Sequence, residues 1–272
     1  MSDSYNSIPL KCMARTIAET MDCNVPEAAA PAVDFAVDVL QKTAGGSVDR
    51  AVIYHADAVG MYLLQKHTQW FAPVYRHTQL SIPYVSTVAS LTPVAHASMY
   101  TGLDPAEHGI RVYERPRLSC DTLYDSYARQ GKRSAIIAMP DSTFLHIFEN
   151  HGADCFEVKD CREALTVAER LIEEDRYDLI SIHTFEYDDN AHDFGPESKE
   201  ALAAVRREIE GFDLLCNKIG QAWPQHRTMV AYAPDHGQHA VEAWEPNPDG
   251  YRGDHGSYRT EDMNVVHFYG IV

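Results

Sequence analysis

Five short runs of apolar residues rich in β-formers recur along the chain, at residues 51–54, 134–139, 178–182, 228–233 and 264–271. Helix-type patterns fill most of the intervals between them, at residues 61–71, 121–130, 163–174 and 197–219. A strand that is apolar on both sides needs cover on both faces, and amphipathic helices supply it. The alternation therefore predicts an α/β fold with a mostly parallel central sheet sandwiched by helices. Residues 8–43 read as helical and end at Ala44-Gly45-Gly46, so residues 1–47 are expected to form an N-terminal helical extension. Residues 48–272 then form the α/β domain, in a single-domain protein overall. With 272 residues, 45% of them hydrophobic, the chain can bury a core of that kind, and disordered or fibrous classes are excluded.

Acidic and imidazole side chains follow three of the predicted strands. Asp57 follows the first, Asp188 and His192 follow the run at 178–182, and Asp235-His236-Gly237 follows the run at 228–233. Ligands of open α/β sheets bind beyond the carboxyl ends of the strands, so the topology brings these groups to one edge. A polar stretch from Gly237 to Asp262 adds Asp254-His255-Gly256, and a loop that long in a compact domain is usually functional. Three carboxylates in one crevice repel one another unless cations lie between them, and mixed Asp/His sets suit zinc or another first-row metal. Taken singly, each pair also reads as a turn or a solvated loop. Thr92-Pro93 has the form of a helix start, with the Thr92 hydroxyl as N-cap beside the positive end of the helix dipole. That hydroxyl is either a cap or a nucleophile.

Charge limits the partners. Forty acidic against 23 basic residues give a formal net charge of −17, which repels nucleic-acid polymers and anionic membrane surfaces. Two divalent ions would outweigh Asp57, Asp188 and Asp235, so the site itself can hold a phosphate on an acidic protein. The six cysteines form no C-x-x-C pair and no disulfide framework. The N-terminus is polar, and no run approaches the ~20 apolar residues of a membrane span. The expectation is a soluble cytoplasmic protein.

Taken together, these segments resemble the alkaline phosphatase superfamily and, within it, the type I phosphodiesterase/nucleotide pyrophosphatase branch. The resemblance lies in the order of five segments within residues 51–272. They are the strand end at Asp57, the stretch from Thr92 to Ile110, Asp188…His192…Gly195-Pro196, Asp235-His236-Gly237 and Asp254-His255-Gly256. The part from Thr101 to Ile110, T-G-L-x-P-x-x-H-G-I, is the most specific. The resemblance implies a two-metal site, zinc by preference and manganese as the alternative. Asp188, His192 and His255 would hold one ion, while Asp57, Asp235, His236 and the Thr92 oxygen would hold the other. It also implies that Thr92, nine residues before Thr101, attacks phosphorus and forms a phospho-threonine intermediate that water then hydrolyses.

The sequence departs from that branch at two phosphoryl-oxygen donors. The residue after the nucleophile is Pro93, which has no N–H, and Tyr113 stands where the branch places an asparagine. Val94 N–H, Tyr113 and Arg111 are the candidate replacements. The expected activity is cleavage of phosphodiester or nucleotide-pyrophosphate bonds in a small phosphate-ester substrate. Phosphomonoesterase or phosphonate hydrolase chemistry on the same site is the alternative, as is a catalytically weak phosphate- or nucleotide-binding protein. His96, His108, His183 and His239 are read as structural or supporting, with His239 the first exception to consider.

Overall fold

The computed structural model describes residues 4–245 and 248–272; Met1–Asp3 of the polar N-terminus and residues 246–247 of the long polar stretch lie outside the described residues. The strands are β1 (Ile8–Pro9), β2 (Arg50–Ala56), β3 (Leu80–Val85), β4 (Ser134–Ala138), β5 (Ala153–Glu157), β6 (Leu179–Thr184), β7 (Thr228–Tyr232), β8 (His239–Ala240), β9 (Gly253–Asp254) and β10 (Asn264–Ile271). In its first half the chain forms helices α1 (Cys12–Thr20), α2 (Asp34–Ala44), α3 (Met61–Lys66), α4 (Ala72–His77), α5 (Thr92–Thr101) and α6 (Pro105–His108). The second half adds α7 (Leu123–Arg129), α8 (Thr143–Ile147), α9 (Cys161–Glu174), α10 (Glu186–Phe194), α11 (Lys199–Ala222) and α12 (Thr260–Met263).

Eight strands form one sheet in the order β1-β3-β10-β7-β2-β6-β4-β5, and β8 and β9 form a separate antiparallel ribbon. Only β10 runs against its neighbours in the large sheet, pairing antiparallel with both β3 and β7. The sheet is mostly parallel, as the alternation of runs and helices predicts. Side chains leave a strand alternately to either face, and here both faces are covered. Ile53, Ile136, Leu179 and Met229 pack with α1, α2, α5, α7 and α8 on one side. Val52, Tyr54, Ile137, Ile180, Ile182 and Tyr232 pack with α3, α4, α9 and α11 on the other.

The expected single helical stretch at 8–43 differs in the structure. Ile8–Pro9 add a parallel strand to β3, two helices follow, and residues 21–33 lie between the helices without helical structure. Pro26 and Pro31 fall in that gap, and proline removes an N–H and clashes with the preceding turn. Residues from both helices join the core under one sheet face, among them Ile17 and Leu40. Helix α5 carries a different signature: all ten of its residues are buried. A helix buried on all sides is an interior element, and its N-terminus is fixed where the carboxyl ends of the strands converge.

Candidate metal centre

Strands β7, β2 and β6 are parallel neighbours, so their carboxyl ends lie side by side. Asp57 leaves the end of β2 and is anchored by its N–H on the Thr184 carbonyl at 2.9 Å. Asp235 and His236 follow β7. Helix α10 follows β6, and its i,i+4 spacing puts Asp188 and His192 on one face, with Asp188 Oδ1 and His192 Nε2 3.4 Å apart. The β8–β9 ribbon returns the chain so that His255 faces them, its Nε2 3.7 Å from Asp188 Oδ1.

Two sets of potential ligands result: Asp188, His192 and His255, and Asp57, Asp235 and His236. Within each set the donor atoms lie within 4.8 Å of one another. His236 and His255 stack with centroids 4.1 Å apart, which makes the two sets adjacent. In each of the three imidazoles Nδ1 is held by a backbone carbonyl: Gly253 at 2.8 Å for His192, Ser90 at 3.0 Å for His255 and Gly237 at 3.1 Å for His236. A carbonyl accepts only, so the proton sits on Nδ1 and the Nε2 lone pair is left for a metal.

Thr92 is the first residue of α5, and Leu91 takes the cap position, with no side-chain cap bond. The expected N-cap role of Thr92 is therefore corrected. Its hydroxyl is turned instead toward the cluster, 3.4 Å from Asp57 Oδ2 and 3.2 Å from His236 Nε2.

Burial sets the electrostatics. Desolvation, reinforced by the Asp235 and Asp188 carboxylates, holds Asp57 well above the usual carboxylate range. Burial lifts Asp235 to about 6 and pushes His236 down to about 3, which keeps that imidazole neutral. Asp57 Oδ1 and Asp235 Oδ2 are fully buried and have no hydrogen-bond partner. Orphaned anionic oxygens are costly in a folded interior, and a cation beside them removes that cost. Two buried lone oxygens, three Nε2 lone pairs and a hydroxyl at one spot fit divalent metal.

Two further histidines support the cluster. His183 Nε2 lies 2.9 Å from Asp57 Oδ2, and His96 Nδ1 lies 3.1 Å from the Thr92 carbonyl and 3.6 Å from Asp235 Oδ2. These contacts are in keeping with the sequence reading of both as structural or supporting; His183 lies on β6 and His96 one helical turn beyond Thr92. The stretch from Thr101 to Ile110 proves architectural. Gly102 adopts φ +74°, a Cβ there would meet Ala29 Cβ at 2.5 Å, and Asp104 with Glu107 forms a capping box on α6. His108 bonds Ser98 at 3.0 Å. Arg111 and Tyr113 stand exposed, and among the described residues no hydrogen bond joins either to the cluster; the Arg111 guanidinium donates to the Ala106 carbonyl at 3.4 Å. Val94 N–H donates to the Leu91 carbonyl at 2.9 Å.

The sequence profile described as type I phosphodiesterase/nucleotide pyrophosphatase matches residues 55–267. The chain belongs to the type I phosphodiesterase/nucleotide pyrophosphatase family. The matched region runs from the end of β2 into β10, so it takes in every residue of both ligand sets. The family placement agrees with the resemblance to the alkaline phosphatase superfamily. No curated protein matches the chain. Among solved structures, human ectonucleotide pyrophosphatase/phosphodiesterase 5 superposes with TM-score 0.63 at 13% identity, over 81% of this chain and 87% of that one. An inactive threonine-to-alanine variant of the murine protein, in complex with AMP, superposes with TM-score 0.59 at 14% identity, over 72% of this chain and 59% of that one. Phosphonoacetate hydrolase from Sinorhizobium meliloti 1021, in complex with phosphonoacetate, gives TM-score 0.52 at 15% identity, over 72% and 58%. This family member thus spans under two thirds of the murine and bacterial chains, and the likeness shows the shared fold.

Proposed function

We propose that this family member is a di-metal phosphohydrolase that cleaves phosphodiester or nucleotide-pyrophosphate bonds in small phosphate esters through a phospho-threonine intermediate. The observation that carries the reading is the Thr92 hydroxyl, aimed at Asp57 and His236 beside two orphaned carboxylate oxygens. Asp188, His192 and His255 would hold one divalent ion, and Asp57, Asp235, His236 and Thr92 the other, with zinc the first choice and manganese the second. Bound there, the ions would supply Lewis acidity to the hydroxyl and to the charge developing on phosphorus.

The chain's own residues do the rest. Thr92 Oγ1 attacks phosphorus as the ester's P–O bond breaks, and water later displaces the threonine oxygen. The burial of α5 holds that hydroxyl in one place, so little orientational entropy is lost on attack. Thr92 N–H makes no backbone hydrogen bond among the described residues, and at the positive end of α5 it is available to a phosphoryl oxygen. Two structural neighbours carry names or bound ligands of this chemistry, which supports a phosphate or phosphonate ester as substrate. The acidic surface favours neither a nucleic-acid polymer nor a membrane as partner. All six cysteines are free, which fits a reducing cytoplasm.

One observation favours the second reading, a phosphomonoesterase or phosphonate hydrolase on the same residues. Val94 N–H is already bonded, and Arg111 and Tyr113 are exposed, so the phosphoryl oxygens are gripped differently from the diesterase branch. Zinc-loaded protein assayed on bis-aryl phosphodiester, aryl phosphomonoester and aryl phosphonate separates these readings. On the best substrate, Thr92→Ala is expected to lower kcat by about a thousandfold or more. Equal rates for wild type and variant on every substrate would remove Thr92 as nucleophile and leave a binding protein.

A further inference from the structure

A cavity of about 1770 Å³ is not lined by the metal-ligand set. It lies beside it. Gln238, in its wall, donates Nε2 to Asp188 Oδ1 at 3.4 Å, and Arg252, also in its wall, donates N–H to the His192 carbonyl at 2.7 Å. Gln238 cannot turn its amide over, because Oε1 would then face the Asp188 carboxylate. Its Oε1 is buried and has no partner.

Next to it, His239 lines the same cavity and is held by a buried acid. Asp262 Oδ1 lies 2.7 Å from His239 Nδ1, and Asp262 Oδ2 accepts from Ser257 N–H at 3.0 Å and Ser257 Oγ at 2.7 Å. The Asp262 side chain is wholly buried, so the imidazole is locked with Nδ1–H toward the carboxylate. Nε2 is left as an acceptor with no hydrogen-bond partner among the described residues. The aromatic rings of Tyr62 and Phe194 also line the wall. Four carboxylates face three cations there, and Lys66–Glu197 and Arg259–Glu245 are already paired. No surplus of positive charge is present for a second phosphate.

We propose that this cavity receives the organic substituent of the phosphate ester and that His239 selects a hydroxylated substituent, a polyol or sugar, by accepting its hydroxyl at Nε2. Aromatic walls take the C–H faces of such a group, and an acceptor fixed at the cavity wall favours esters that carry the hydroxyl over analogues that lack it. The inference rests on the phosphohydrolase reading for its orientation toward the centre, but its test has a binding arm that stands without turnover.

The probe is bis(glyceryl) phosphate, which carries glycerol on both sides so that either arm can enter, with diethyl phosphate as the analogue lacking hydroxyls. Calorimetry on zinc-loaded Thr92→Ala protein is expected to show bis(glyceryl) phosphate binding at least about tenfold tighter than diethyl phosphate, about one good hydrogen bond. Adding His239→Phe is expected to remove that difference, and His239→Gln, which keeps an acceptor, to restore part of it. In wild type, the ratio of kcat/KM for bis(glyceryl) phosphate to that for bis(p-nitrophenyl) phosphate should fall about tenfold on His239→Phe, through KM. Equal affinities for the two dialkyl esters in the protein with His239 intact overturn the proposal, whether or not His239→Phe folds. Absent turnover of every ester with the affinity difference preserved would sink the phosphohydrolase reading and leave the pocket standing.

Discussion

Asp57 and Asp235 are the residues on which the centre's stability turns. Each carries a buried oxygen without a partner, and burial raises both acids above their ordinary range. A raised folded-state value means that the metal-free native protein binds more protons than the unfolded chain, between about 4 for an ordinary Asp and the folded value. The contribution of these two acids to the stability of the stripped protein therefore falls as pH rises through that window, which for Asp235 closes at about 6. Buried histidines such as His236, pushed down to about 3, act with the opposite sign over the same range, so the acid's share is read by difference: after EDTA treatment the Tm of wild type minus that of Asp235→Asn should fall as pH rises toward about 6. Zinc should raise Tm more at neutral than at acidic pH, and a difference between wild type and Asp235→Asn that grows across the window would contradict the assignment. Asp57→Asn removes one of the repelling charges. It is expected to raise the Tm of the metal-free protein at neutral pH by about 2–8 °C while lowering zinc content by about one ion per chain.

Elements differ in how plainly the sequence announced them. Strands β2, β4, β6, β7 and β10 are buried along most of their length and stand out as apolar runs. Strands β1 and β5 sit at the edges of the sheet, where a two-residue strand ending in proline and the partly exposed Ala153–Glu157 leave no such run. Strand β3, interrupted by Pro83, was missed for the same reason. That Asp57, Asp188, His192, Asp235 and His236 gather at one edge was legible because the carboxyl ends of parallel strands share that edge, whereas their division into two sets with His255 came from the family resemblance. His183 and His96 were legible only as structural or supporting, because a buried histidine in a strand or helix looks the same in sequence whichever carboxylate it faces.

Glycine made the same difficulty at the ribbon. A Cβ on Gly253 would meet the Ala191 carbonyl at 2.4 Å, so β9 can lie against α10 only as glycine, and its carbonyl then holds His192. Gly253→Ala is expected to cost about 1–3 kcal/mol of stability. It should also weaken zinc at Asp188, His192 and His255 more than at the other set, which competitive chelator titration resolves as two steps moving apart. A parallel loss at both steps would assign the change to general unfolding.

At the scale of the whole molecule, the net charge of −17 acts on any anionic substrate before it reaches the centre. Like charges repel at long range, and salt screens that repulsion. For a singly charged diester, kcat/KM is expected to rise by roughly two- to threefold as ionic strength goes from about 20 mM to about 150 mM, measured at fixed metal occupancy. A fall over that range would mean that local positive potential at the centre dominates capture. The same order of strands shapes how the molecule is made. Strand β10, residues 264–271, lies between β3 and β7, and β7 in turn adjoins the strand that delivers Asp57. A ribosome that has released everything through Asp235 and His236 still holds a sheet with its middle open, so β1 and β3 have no partner across the gap. Asp57, Asp188, His192, Asp235 and His236 are all synthesised before that gap can close, and the nascent chain must keep the open edge from pairing elsewhere until residues 264–271 emerge.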